Sequence, residues 1–163
     1  MAITLVRVDD RIIHGQVLTQ WTRINPCDGI LVVNDYLAKN KELGQVYKNA
    51  APSNIKVHIF TFEKALLKID EAKRSKKNYF LITKSPIELS NLVQNGVEFG
   101  KELIYGPSSF RPDTTSIGPN QSLTKEEMDA CEVLHNSGIN ITFKLTPDKK
   151  GFAWKEIRNN YYK

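Results

Sequence analysis

The chain has 163 residues, 40% of them hydrophobic and 25% charged, with 23 Lys and Arg against 18 Asp and Glu for a formal net charge of +5. That length fits one domain, 1–163, with a single substantial core, and the composition is that of a globular protein and excludes a disordered one. No apolar stretch approaches the ~20 residues that span a bilayer, and the start Met1–Arg7 lacks the features of a secretory signal.

Cys27 and Cys131 belong to no Cys-x-x-Cys pair, which reads as two small core residues in a reducing compartment and predicts a cytoplasmic protein. The modest basic excess favours acidic partners or phosphorylated ligands. Its densest run, Lys73-Arg74-Ser75-Lys76-Lys77, falls where a helix is expected to end and complements the helix dipole. No aromatics interleave with it, so no nucleic-acid partner is expected.

Short β runs alternate with helical stretches. Ile3 to Val8 reads as a strand, and Gly15 to Arg23 has apolar Val17, Leu18 and Trp21 at helical spacing. Gly29 to Val33 is a short continuous apolar run, the pattern of a strand buried on both faces. Leu37 to Ala50 reads as one helix, stopped by Pro52. Ile55 to Phe60 is a third strand, and Thr61 caps a helix running to about Ser75. Tyr79 to Ile82 is a fourth, followed by Ser85-Pro86 as cap and first turn of a helix to Gln94. Leu103 to Tyr105 is a fifth. One long loop, Gly106 to Ser122, follows. Thr124 and Glu127 have the spacing of a capping box for the next helix, which Gly138 ends before a sixth strand, Ile139 to Leu145.

This alternation predicts an α/β fold: an open, mostly parallel twisted sheet with helices on both faces. Right-handed crossovers put every strand-to-helix loop at one edge, where open α/β sheets bind ligands. The chemistry concentrates in the first such loop. His14 is a nucleophile that titrates near neutrality in its unperturbed form. The backbone N–H groups of Gly15, Gln16 and Val17 open a helix and point at any anion carried on it. Arg11 offers a planar fork of donors to phosphate oxygens. Asp9 and Asp10 repel phosphate, so one is expected to hold Arg11 and the other to orient the imidazole. Phosphoryl transfer needs alignment and charge stabilisation, which these parts supply. His58, inside a strand, and His135, late on a helix, read as structural. No nucleotide fingerprint or grouped set of metal ligands is present, so no metal and no cofactor are expected.

The segment Val8-Asp9-Asp10-Arg11-Ile12-Ile13-His14-Gly15-Gln16-Val17, followed by Trp21, closely resembles the active-site segment of the IIB components of the mannose–fructose–sorbose family of the bacterial sugar phosphotransferase system. Val32-Val33-Asn34-Asp35 followed by Ala38, Ala50-Ala51-Pro52 and Ser122-Leu123-Thr124-Lys125-Glu126-Glu127 resemble the same family, from about Ile3 to Pro147 in all. The resemblance implies a protein–phosphohistidine–sugar phosphotransferase. It would receive a phosphoryl group on His14 from a IIA phosphohistidine, with Arg11, Asp9 and Asp10 as support. It would pass the group to a hexose or amino sugar entering through membrane IIC and IID components, so that the chain meets the membrane only through partners. Two departures stand out. Asn34-Asp35 replaces the paired acids the family often has after strand two. Gly106-Pro107-Ser108-Ser109-Phe110-Arg111 replaces a frequent Gly-Gly turn, and Ser108, Ser109 and Arg111 are candidates to reach the phosphate. Two alternatives stay open at this point: a receiver-like signalling domain, against which strand three offers no acceptor Asp, and an idle anion-binding module.

Overall fold

The computed structural model describes residues 2–162. Nine strands and seven helices follow in chain order: β1 (Ile3–Val8), α1 (Gly15–Thr22), β2 (Gly29–Val33), α2 (Asp35–Lys39), α3 (Lys41–Ala50), β3 (Lys56–Phe60), α4 (Phe62–Lys73), β4 (Tyr79–Thr83), α5 (Pro86–Gln94), β5 (Glu102–Tyr105), β6 (Thr115–Gly118), β7 (Gln121–Leu123), α6 (Lys125–Asn136), β8 (Asn140–Phe143), β9 (Phe152–Ala153) and α7 (Trp154–Ile157). The main sheet has seven strands in the order β3-β2-β4-β1-β5-β8-β9. All its pairings are parallel except that of β9 with β8. This is the open, mostly parallel α/β sheet expected. It is not the 2-1-3-4-5 order of receiver domains.

Alternation along each strand sends side chains to two separate cores. Leu5, Ile30, Val32, Phe80 and Ile82 pack with Leu18 and Trp21 of α1 and Leu37 of α2. Val6, Val8, Leu31, Val33 and Leu81 pack on the other face with Ala65 and Ile69 of α4, Leu89 and Leu92 of α5, and Cys131 and Leu134 of α6. Every residue of β2 is buried, as a continuous apolar run covered on both faces requires. The helix after β1 thus lies on one face, whereas those after its neighbours β4 and β5 lie on the other. That divergence opens a crevice at the carboxyl end of β1, the place where open α/β sheets bind ligands.

The capping signals act as the sequence suggests. The Thr61 hydroxyl accepts the Lys64 N–H, and Ser85 with Glu88, and Thr124 with Glu127, form capping boxes. Three expectations need correcting. The helix read as Leu37 to Ala50 is two helices, because Asn34 and Asn40 each accept a backbone N–H three residues on and so begin α2 and α3 separately. The loop read as Gly106 to Ser122 contains the antiparallel hairpin β6–β7. Its strands are short and polar and give no alternation to read, and Asn120 takes a left-handed turn conformation at φ 58°. The sixth strand stops at Phe143, and the chain beyond it returns to add the antiparallel edge strand β9 and the fully buried Trp154 of α7.

Candidate functional site at the carboxyl edge of the first strand

The loop from Asp9 to His14 is built by hydrogen bonds of its own. Asp9 N–H donates to the Thr83 carbonyl at 2.9 Å, extending β1 against β4 by one residue. The Asp9 carboxylate then turns back to accept the Arg11 N–H at 2.9 Å, and the Asp9 carbonyl accepts the Ile12 N–H at 2.9 Å. Ile12 is held at φ 64°, a region costly for a β-branched residue, while its side chain is buried in the core beneath α1. Such a conformation persists only where the surroundings over-determine it, as ligand-handling loops commonly do. His14 follows in extended conformation as the N-cap of α1, and its imidazole does not cap the helix. The first-turn N–H groups of Gly15, Gln16 and Val17 precede the helix's own ladder and have no partner within it. A Cβ on Gly15 would lie 3.2 Å from the Ala50 carbonyl, so the start of α1 closely approaches the end of α3. That close approach ties the resemblance at Ala50-Ala51-Pro52 to the site.

His14 is half-buried and Arg11 exposed. Both line a cleft of about 590 Å³, with Arg7, Asp10, Val17, Pro107, Ser109, Phe110 and Ser122 among the other walls. One wall is the loop after β1, another the loop after β5, and the β6–β7 hairpin closes a third side. Phe110 stands at this rim with 75% of its surface exposed.

The acidic pair departs from expectation. Asp9 does engage Arg11, but through the Arg11 backbone; its side-chain partner is Arg7, at 3.3 Å. Asp10 accepts from both the N–H and the hydroxyl of Ser109, each at 2.7 Å, which leaves the imidazole of His14 unoriented by either carboxylate. The loop after β5 lies within reach of Asp10 and takes its carboxylate. The guanidinium of Arg11, unpaired with any acid among the described residues, is left to the cleft.

Ser108 and Arg111 also differ from the reading as phosphate ligands, since neither is part of the cleft wall. Ser108 is buried, donates to the Ser122 carbonyl at 2.8 Å and accepts from Arg111 at 3.2 Å. Arg111 turns to Glu127 at the start of α6, at 2.9 Å. Glu127 already serves as the capping-box acid and is 4% exposed, so the arginine supplies its missing countercharge. Ser109, one residue over, is the serine that faces the site. Asp35 lies elsewhere: it accepts the Phe62 N–H at 2.7 Å, tying α2 to the start of α4.

Arg7 is 2% exposed. On β1 it points to the same side as Leu5 and lies over the Trp21 ring, 5.3 Å from its centroid. Burial lowers its pKa and raises that of Asp9, and their mutual attraction opposes both shifts only in part. The basic groups that flank the cleft are instead Lys144, Lys149 and Lys150, in an adjoining cleft of about 550 Å³ that shares Asn120 and Leu145 with the first. Lys149 and Lys150 lie beyond the last element expected from the sequence, in a stretch with no periodic signal. His58 sits in β3 among Phe60 and Tyr79, its pKa lowered by burial and then by Lys56, Lys48, Lys77 and Lys68. His135 lies in the last turn of α6. Both are outside the cleft.

An open α/β sheet with a histidine-bearing cleft at a strand's carboxyl edge, facing a helix N-terminus and a guanidinium, is a class of protein suited to handling phosphoryl groups. Residues 3–162 match the family described as the PTS system sorbose subfamily IIB component, and the chain belongs to that family, with a phosphotransferase role in sugar uptake. It is 33% identical over 145 residues to the sorbose-specific EIIB component of Lacticaseibacillus casei, covering 89% of this chain and 88% of that one. It is 28% identical to the fructose-specific EIIB component of Bacillus subtilis, over 100% of this chain and 99% of its relative. Among solved structures, the IIB domain of the sorbose permease from Klebsiella pneumoniae superposes with a TM-score of 0.90 at 25% identity, over 99% of this chain and 98% of that one. No helix among the described residues is long and apolar enough to cross a membrane.

Proposed function

We propose that this chain is a phosphocarrier that accepts a phosphoryl group on His14 from a IIA phosphohistidine and delivers it to a sugar. The observation that carries the reading is the position of His14 as the extended N-cap of α1 in a cleft it shares with Arg11. In the accepting step an imidazole nitrogen of His14 attacks the phosphorus, the P–N bond to the donor histidine breaks, and the electron pair stays with the donor's nitrogen. The free N–H groups of Gly15, Gln16 and Val17 and the fork of Arg11 stabilise the equatorial oxygens during transfer. In the delivering step a sugar hydroxyl replaces His14 at phosphorus and its proton passes to solvent or to the released imidazole.

The relatives support the donor end of this relay. One is the mannose-specific EIIAB component of Escherichia coli, 28% identical over 151 residues, of which this chain spans 46%. Its printed name joins a IIA to a IIB, which supports a IIA partner here. Membrane IIC and IID components would present the sugar on the cytoplasmic side, a hexose or amino sugar whose choice this chain does not carry. The test is labelling from phosphoenolpyruvate through the general phosphocarrier proteins and a matching IIA. The wild type should be phosphorylated and His14→Ala should not, and persistent labelling of that variant would sink the reading.

A further inference from the structure

Arg7 carries a feature that packing alone does not explain. Its side chain is 2% exposed, yet its recorded hydrogen bonds are both made by Nη2: to Asp9 at 3.3 Å and to the Leu145 carbonyl at 3.2 Å. Nη1 is buried with no partner. A guanidinium has five N–H donors in a rigid fork, and leaving one buried and unbonded is costly. The residue is nonetheless held by Trp21, Gly106, Asp9 and the Leu145 carbonyl. Trp21 lies against one face of it, and a Cβ on Gly106 would come within 2.6 Å of Nη2, so only glycine leaves room for it there. The same side chain forms part of the wall of the cleft that holds His14 and Arg11.

A buried, held guanidinium with a spare donor beside a cleft is a preorganised anion ligand. Its carboxylate partner leaves it that role: Asp9 also accepts the Arg11 N–H, so Arg7 commands only one of the two Asp9 oxygens, at a long distance. We propose that Arg7 donates its Nη1–H to an oxygen of the phosphoryl group carried on His14, making it a second guanidinium of the site alongside Arg11. The proposal rests on the reading of His14 as the carrier. In this arrangement Arg11, exposed, meets the group as it arrives, and Arg7, buried and rigid, holds it once transferred. Arg7 therefore acts on the equilibrium between donor and carrier more than on encounter.

The test compares wild type, Arg7→Met and Arg7→Lys in transfer from a phosphorylated IIA, reading the equilibrium constant, the rate and the thermal midpoint. All three should be labelled on His14. Arg7→Met should lower the transfer equilibrium constant by about tenfold or more, and Arg7→Lys, which keeps the charge without the planar fork, should fall between. A wild-type constant in Arg7→Met, whatever its thermal midpoint, would make Arg7 a packing residue only and overturn the proposal. Absence of label on the wild type would instead strike the carrier reading itself. A variant that does not fold is bypassed by nitrogen-15 NMR of the Arg7 side chain in the wild type. Its Nη–H signals should shift and exchange more slowly when His14 is phosphorylated; signals identical in both forms would overturn the proposal.

Discussion

Asp10 and Ser109 are joined by two hydrogen bonds, from the serine N–H and its hydroxyl to one carboxylate oxygen, each at 2.7 Å. They lie 99 residues apart in sequence, and the pair ties the loop after β1 to the loop after β5 across the mouth of the cleft. Asp10→Ala should leave the fold intact and cost about 1–2 kcal/mol, since the acceptor is charged but the pair is exposed. Urea unfolding reads that cost. Transfer to the variant should slow several-fold because the cleft wall loosens, and an unchanged rate would show that the tie serves only stability.

Arg111 makes a contrasting case. Its partner Glu127 is 4% exposed, so Arg111→Ala leaves a buried carboxylate without its countercharge. A loss of about 1–3 kcal/mol follows. Labelling of His14 should persist near the wild-type rate at temperatures where the variant is folded. If Arg111→Ala loses phosphoryl transfer without losing stability, the arginine reaches the phosphate after all.

Lys149 and Lys150 are exposed beside the cleft, whereas Lys73 and Arg74 pair with Asp70 at the far end of α4. A basic flank steers an acidic partner and raises the rate of encounter more than the affinity. Reversing Lys149 and Lys150 to Glu should lower the second-order rate of transfer from IIA about tenfold at low salt and less at physiological salt, where screening reaches only about 8 Å. Stopped-flow or quench kinetics at two ionic strengths reads this. A larger effect from reversing Lys73 and Arg74 would move the docking face to the opposite edge.

Acid stability should report the C-terminal return. Glu132 on α6 binds the Arg158 guanidinium, including a 2.9 Å bond from its Nε, and accepts Trp154 Nε1–H at 2.7 Å. Its pKa is lowered by the hydrogen bond from Arg158 first, which outweighs burial, with Trp154 helping. A carboxylate whose folded pKa is depressed adds stability above its unfolded value, about 4.3, and that stability is lost as pH falls through the folded pKa. Glu132→Gln should therefore be less stable than wild type at pH 7, by about 1–2 kcal/mol, and the gap should close below about pH 4. Urea midpoints at several pH values check it; a gap independent of pH would mean the carboxylate's charge is not what holds the tail.

How far the sequence reveals this molecule follows from how local each determinant is. Strands buried on both faces and helices opened by Thr61, Ser85 and Thr124 carry their signals within a few residues, and they were legible. The split at Asn40 was written in a cap residue that helical periodicity masked. The β6–β7 hairpin and the return of β9 and α7 are stabilised by tertiary partners, Gln121 bonding to the Tyr105 carbonyl and Trp154 filling a core, so neither has a local pattern. At the site, the loop position of His14 and Arg11 could be derived from the order of elements. Pairing could not: whether Asp10 meets His14 or Ser109, and whether Arg111 meets phosphate or Glu127, depends on loops brought together from distant parts of the chain.

The most direct measurement is the location of the phosphoryl group on the labelled chain. Protein phosphorylated through IIA is digested with trypsin at neutral to alkaline pH, where phosphohistidine survives, and the peptides are read by mass spectrometry. Cleavage after Arg11 and Arg23 isolates the segment Ile12 to Arg23, in which His14 is the only histidine. The account predicts phosphate on that peptide alone. Phosphate on Val57 to Lys64, which carries His58, or on Glu126 to Lys144, which carries His135, would contradict it.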